Sequence, residues 1–461
     1  MTPMPPPLLP LSPSPLLPPV PSPLPPPLLP ADHPERRALA DEVHARPPEP
    51  LETPCRVTYL AVIVDAEARV LELQHLGRLC AAFGGEPPPA GVSQFSTRLG
   101  ALRLKWERHG EFSSYTLISP GRSATPFSDP VVALLPDGWL ASLPGQTIVA
   151  AHAKLVAADP DGARPEPAFI AQCFEGHVAV GGSVGGGAGW AYTDFHIHAD
   201  GCSRFVLFDR SFTPRQAGRM MQRLFEIEAY RMLALLALPI ARRQSPRIVD
   251  IERALADFTD RIALGEGQDE ALLHELTRLA AEVESGLAAS QFRFGACRAY
   301  AELVRTRIAE LKETRQPGLQ TIEEFMARRF TPAVATCATV SQRLLDLSER
   351  VSQASGLLAT RVGIAREGQN QALLASMDRR AKLQLRLQQT VEGLSVAAIV
   401  YYAAGLVGYL AKGSKAGGLS LDTDLVVALA VPLLAVAAVL TVRRARRRVR
   451  AAENAAEAGG H

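Results

Sequence analysis

GLSVAAIVYYAAGLVGYL, residues 393–410, and LVVALAVPLLAVAAVLTV, residues 425–442, carry no charged side chain. Each run has 18 residues, near the lower end of the roughly 17–25 that a helix needs to span a bilayer. A buried helix pair of a soluble protein is the competing reading. Two such runs close together at one end of a chain, flanked by basic residues, fit a transmembrane hairpin better. Pro432 is tolerated in a bilayer helix when neighbouring groups satisfy the freed carbonyl. Ala404 and Gly408 form a small-xxx-small step that lets helices approach closely.

The flanks set the orientation. Arg379, Arg380, Lys382 and Arg386 precede the first run, and Arg443, Arg444, Arg446, Arg447, Arg448 and Arg450 follow the second. The connection, Ala411–Asp424, has only Lys412 and Lys415 against Asp422 and Asp424. The positive-inside rule then expects two spans, 393–410 and 425–442, with both termini in the cytoplasm of a bacterial inner membrane. The basic tail 443–461 also suits anionic headgroups.

Upstream, no proline occurs between Pro332 and Pro432. Val340, Leu344, Leu347, Val351, Ala354 and Leu358 repeat at 4-3-4-3-4 spacing, which predicts a long helix with a coiled-coil-like stripe over 332–392. Packing on a neighbouring helix explains the stripe equally well. Residues 213–331 read as a helical domain. Thr213-Pro214 is an N-cap followed by a first-turn proline, and Thr321–Glu324 has the form of a capping box.

Residues 32–212 read as an α+β domain with a mostly antiparallel sheet. RVTYLAVIVD, 56–65, is a buried strand. Leu99–Arg108 and Ser113–Ser119 alternate around a His109-Gly110 turn, as a hairpin does. Further strands are expected at Phe169–Phe174, Val178–Val180, Trp190–His198 and Arg204–Phe208, and helical pieces near 66–83 and 126–135. Residues 1–31 are a proline-rich tail expected to be disordered. The predicted architecture is therefore an α+β N-terminal domain, a helical domain with a long helical stalk, and a C-terminal two-helix transmembrane hairpin.

The net charge of +2 offers no basic surface of the kind nucleic-acid binding requires. The six cysteines, Cys55, Cys80, Cys173, Cys202, Cys297 and Cys337, contain no CxxC pair and read as reduced, buried thiols.

Three constellations bear on chemistry. Asp194, His196, His198 and Asp200 would share one face of a strand and could hold a divalent ion, but a half-exposed strand with Phe195 and Ile197 buried gives the same alternation. The glycine run 181–189 fits no phosphate-loop pattern and reads as a turn between strands. His33, Arg36, Glu42, His44 and Arg46 place acid, base and cation in one short stretch, suited to a ligand or to helix capping. Glu228, Tyr230 and Arg231 lie on one helix, where Glu228 and Arg231 are spaced for an intrahelical ion pair. No nucleophile elbow, HExxH or kinase motif set occurs, and no catalytic, cofactor or metal residue is assigned from these patterns.

Four of these motifs have a likeness. They are His33-Pro34 with Glu42–Pro47; Thr193-Asp194-Phe195 with His198–Gly201; Ala217-Gly218-Arg219, Gln222–Leu224 and Glu226–Met232; and Gln389–Ser395. Together they resemble the bacterial predicted membrane-anchored proteins of the domain-of-unknown-function 3422 family. The resemblance implies a membrane anchor and no particular activity, and it expects Arg where His196 stands. The architecture is also similar to that of the CorA-type magnesium channels, although Gly408–Lys412 lacks their Gly-Met-Asn signature. The reading is a membrane-anchored homo-oligomeric scaffold or sensor whose ligand is unknown and whose partner is the lipid bilayer. The alternatives are an oligomeric ion pore and a membrane-surface enzyme using the His33–Arg46 region.

Overall fold

The computed structural model describes residues 30–44, 47–123, 125–159, 164–416 and 422–458, with the side chains of 43, 44, 392, 414–416, 423 and 445–458 left out. The proline-rich tail, Arg46, the His44 side chain and most of the C-terminal arginines therefore lie outside the described residues. The chain divides into two compact units, 1–250 with 283–346, and 251–282 with 347–461.

The first unit is built on one eight-stranded sheet. In chain order its elements begin with α1 (Arg36–His44), β1 (Cys55–Ile63), α2 (Ala66–Ala82), β2 (Gln94–Leu99), β3 (Leu102–Arg108) and β4 (Phe112–Pro120). There follow β5 (Gln146–Ala157), α3 (Pro167–Cys173), β6 (Val180–Val184), β7 (Gly189–Thr193) and β8 (Ser203–Asp209). The order across the sheet is β2-β3-β4-β1-β5-β8-β7-β6. Every pairing is antiparallel except β5 with β8, in which Ala151 lies beside Ser203. The α+β class is as the sequence pattern predicts.

Period-two alternation sorts the strands into two faces. One face buries Leu60, Val62, Leu104, Trp106, Tyr115 and Leu117 with Leu76 and Leu79 of α2. Further along the same face, Trp190, Tyr192, Val206 and Phe208 pack with Ile170 and Phe174 from α3 and its C-terminal end. The opposite face carries small residues at its centre, Ala61, Ala151, Ala153 and Ala191, all buried. Helix α4 (Pro214–Leu235) packs on this side, with Phe225 stacked on Tyr59 at 4.7 Å and set edge-on to Phe205 at 5.9 Å. Alanine there removes bulk that would hold the helix away from the sheet. Thr213 and Gln216 form a capping box at its start, and Pro214 occupies the first turn.

The structure corrects several expectations. Phe169–Cys173 lies in a helix, α3, and Phe174 caps its end, because Pro167 opens it and Ile170 and Cys173 fall on one buried helical face. The strand expected over Trp190–His198 stops at Thr193, where Phe195 takes a φ of +53°. Strands β2 and β5 escaped the pattern. The β5 sequence QTIVAAHAKLVA is rich in alanine and lacks clean alternation, although the strand lies between β1 and β8. Within the helical domain, α6 runs unbroken over Asp269–Leu311.

Helix α5 spans Leu238–Leu264, α7 Ile322–Arg329, α8 Thr331–Ala416 and α9 Thr423–Ala458. The capping box at Thr321 is present, its hydroxyl accepting from the Glu324 amide at 3.0 Å. In the second unit, Ile251, Leu255, Phe258, Leu272, Leu276 and Leu279 are buried, as are Leu347, Val351, Ala354 and Leu358 of the 4-3-4 stripe. The stripe is thus used for packing inside a single chain. Arg361 closes the α5–α6 turn by donating to the Gly265, Glu266 and Gly267 carbonyls at 3.3, 3.3 and 3.1 Å and pairing with Asp269 at 3.2 Å.

Among the described residues, two helices are long and apolar enough to cross a membrane. The first apolar run lies in the C-terminal part of α8. The second, Asp424–Arg444 of α9, has a mean hydropathy of 2.8, and none of its most apolar stretch is buried by protein. A Cβ built on Gly408 would lie 3.5 Å from Val427 Cγ2, ordinary contact distance, so the two helices meet where the small-xxx-small step falls.

Candidate functional site

Between α4 and the sheet lies a narrow cleft of about 530 Å³ including its open mouth. Strands β1, β3 and β4 supply Tyr59, Lys105, Glu107, Ser114 and Thr116, and α4 supplies Met221, Gln222, Phe225, Glu226 and Tyr230. The α4 residues recur at three- and four-residue spacing, which puts them on one helical face. Residues 228 and 231 lie on a different face. There Arg231 grips the Glu228 carboxylate with bonds of 2.7 to 3.0 Å and covers the Phe195 ring at 5.2 Å.

The charges in the cleft are costly. Lys105 and Glu107 sit two apart on β3, so they share a face, and both are over nine-tenths buried. Their atoms approach to 2.9 Å, yet Glu107 Oε1 accepts no aligned hydrogen bond among the described residues. A desolvated ion pair with an unfilled acceptor is a poor stabiliser of a fold. Glu226 is held by Arg307 and by Gln222 Nε2 at 2.8 Å. Burial pushes the Tyr59 phenol well up, and Tyr230, Glu107 and Glu226 push it further, so its hydroxyl is neutral and able to donate. Tyr230 stacks on Tyr300 at 5.7 Å and meets Phe112 edge-on at 6.4 Å.

A strap of chain lies over this cleft. Lys105 Nζ donates to the Pro47 carbonyl at 2.7 Å, Arg103 to the Pro50 carbonyl at 2.6 Å, and the Leu51 amide to the Pro214 carbonyl at 2.9 Å. Gly218 of α4 makes room for it, since a Cβ there would lie 1.9 Å from the Glu49 carbonyl oxygen. The strap begins one residue after Arg46 and three after His44. The two motifs noted in the sequence, His33–Pro47 and Glu226–Met232, thus lead to one site, through Pro47 and through Glu226 and Tyr230. His33 and Arg36 lie at the start of α1, where His33 Nδ1 accepts from the Glu35 amide at 3.2 Å and Arg36 pairs with Asp32. Glu42 is exposed on α1.

The family model described as a protein of unknown function (DUF3422) matches residues 31–449. The chain belongs to this family. A comparison with curated proteins finds no match. In this DUF3422 chain, sequence reasoning missed Lys105 and Glu107. LRLKWER alternates so cleanly that its charges read as a solvent face, and only the strap and α4 bury them. It also missed His177, which is far in sequence from Asp194 and His198 but close to both in space.

Proposed function

We propose that this protein is a membrane-anchored sensor whose α+β domain binds a small solute carrying a protonated amine in the cleft beneath α4. The observation behind the ligand class is the buried Glu107 carboxylate oxygen that faces Lys105 without accepting a hydrogen bond. A ligand ammonium supplies an aligned donor, which the Lys105 ammonium 2.9 Å away does not. The rings of Tyr59, Phe112, Phe225 and Tyr230 supply the walls, and aromatic faces favour cations. The cleft's throat has room for only a few waters, so a ligand enters by displacing the Pro47–Leu51 strap. That movement is the signal the reading assigns to the domain.

The two apolar helices support the anchor, and the arginines that flank them support cytoplasmic termini. Leu373, Leu374, Met377, Leu383 and Leu387 of α8 are exposed in a single chain, which supports self-association along this segment. The test is a thermal-shift screen of the full chain in lipid nanodiscs against putrescine, agmatine and lysine. A ligand at a hundred times its Kd stabilises by about 2.7 kcal/mol, and Glu107→Gln is expected to abolish the shift. No shift with any amine, or an equal shift in Glu107→Gln, contradicts the reading.

A further inference from the structure

The turn after β7 gathers imidazoles and carboxylates from two separate segments. Asp194 Oδ1 accepts from the His196 amide at 3.2 Å, which fixes the carboxylate. Its Oδ2 lies 3.0 Å from His177 Nδ1 and 2.9 Å from His198 Nε2. One ligand atom from each of these three residues lies within 4.8 Å of the others. The side chains of Asp194 and His198 are fully buried, whereas that of His177 is 44% exposed. The group is therefore closed on two sides and open on the third.

His198 faces a carboxylate on each ring nitrogen, Asp194 through Nε2 and Glu175 through Nδ1 at 3.2 Å. A neutral imidazole has one N–H and cannot donate to both. A cation on the lone pair of Nε2 leaves Nδ1–H to donate to Glu175. That arrangement is the carboxylate–histidine–metal relay found around bound ions. The rest of the surroundings suit it. Arg204 Nη2 holds Glu175 at 2.7 Å and lies 3.8 Å from Asp200. The His196 ring sits 4.5 Å from that of His177 on the open side.

We propose that His177, Asp194 and His198 bind a divalent transition-metal ion of the zinc class, with water at the open position. Two imidazoles and one carboxylate are the donor set such ions prefer. In a tetrahedral site, bonds of about 2.0–2.1 Å put ligand atoms about 3.3 Å apart. The spacing seen, 2.9 and 3.0 Å from the carboxylate oxygen to the two imidazoles and at most 4.8 Å between any two of the atoms, brackets this value. The strand-face reading of the same motif fails, because residues 194–200 leave the strand. His177, from the segment after α3, replaces His196 and Asp200 as partner to Asp194 and His198.

The site does not depend on the amine cleft, and its test has a separate readout. The full chain, prepared without a histidine tag in lipid nanodiscs, is stripped with chelator and titrated with Zn²⁺ by calorimetry, and with Co²⁺ by visible absorption. One ion per chain is expected to bind in the micromolar range or tighter, with Co²⁺ giving ligand-field bands. His177→Ala alters an exposed side chain and keeps the fold, as a melting curve verifies. It is expected to weaken binding at least tenfold and remove the bands. Glu175→Gln leaves the three ligands in place and is expected to weaken binding by roughly 10-fold or more. Absence of binding in the micromolar range, or equal binding by His177→Ala, overturns the proposal.

Discussion

Replacing Gly218 by alanine tests how the strap is seated. Alanine in place of glycine ordinarily strengthens a helix by about 1 kcal/mol. Here the added Cβ would sit 1.9 Å from the Glu49 carbonyl oxygen and 2.9 Å from its carbon, both backbone atoms. The strap has to retreat by about 1.1 Å or more to restore a tolerable contact. A displacement of that size breaks the Leu51–Pro214 hydrogen bond at 2.9 Å and strains the bonds from Lys105 to Pro47 and from Arg103 to Pro50. Overpacking costs about 1–3 kcal/mol and each lost hydrogen bond about 1 kcal/mol. The helix gain offsets part of this, leaving a net local loss of about 2 kcal/mol at the strap. Amide hydrogen exchange reads this directly, with Leu51 exchanging roughly 30-fold faster at that loss and the α4 amides unchanged. A Leu51 amide as protected in Gly218→Ala as in the unaltered chain would refute the reasoning.

Glu72→Ala should destabilise the first unit by about 3 kcal/mol, because buried donors left without a partner each cost about 1–3 kcal/mol. The carboxylate now accepts from Trp106 Nε1 at 2.9 Å, Ser113 Oγ at 3.1 Å and Tyr115 Oη at 2.6 Å. Denaturant unfolding checks this, and a loss well under 1 kcal/mol speaks against it. Burial pushes the Glu313 carboxyl up to about 7, although the Ile322 and Glu323 amides donate to it and pull the other way. A carboxyl raised on folding contributes stability that is complete below its unfolded value and is lost as pH rises through the folded value. Melting temperature should therefore fall between about pH 4.5 and 7 in the unaltered chain, and Glu313→Gln should flatten that slope. An unchanged slope removes Glu313 as its source.

How much of this the sequence disclosed varies by element. The hairpin about His109-Gly110, the cap at Thr213, the capping box at Thr321 and both apolar runs were legible because each depends on local chemistry. Strand β5 was not, because Ala151 and Ala153 are small for the sake of α4, a tertiary reason that leaves no alternation. The end of β7 at Thr193 was hidden as well, since Phe195 at φ +53° is an unusual residue for a left-handed turn. The candidate site was half visible. Glu226 and Tyr230 fell within a noted motif, and so did Pro47, but their meeting with Lys105 and Glu107 depends on the strap crossing β3. The Glu228–Arg231 pair was readable from its three-residue spacing. Its packing on Phe195 was not.

The anchor is the central claim, and cysteine accessibility in spheroplasts tests it most directly. All six native cysteines are buried, so the background is low. Single cysteines are introduced by Gly417→Cys in the connection between the spans and Gly459→Cys in the tail, and an impermeant maleimide is added before and after permeabilisation. The account predicts labelling of Gly417→Cys in intact spheroplasts and of Gly459→Cys only after permeabilisation. Recovery of the chain in the soluble fraction, or labelling of Gly459→Cys from outside, would contradict it.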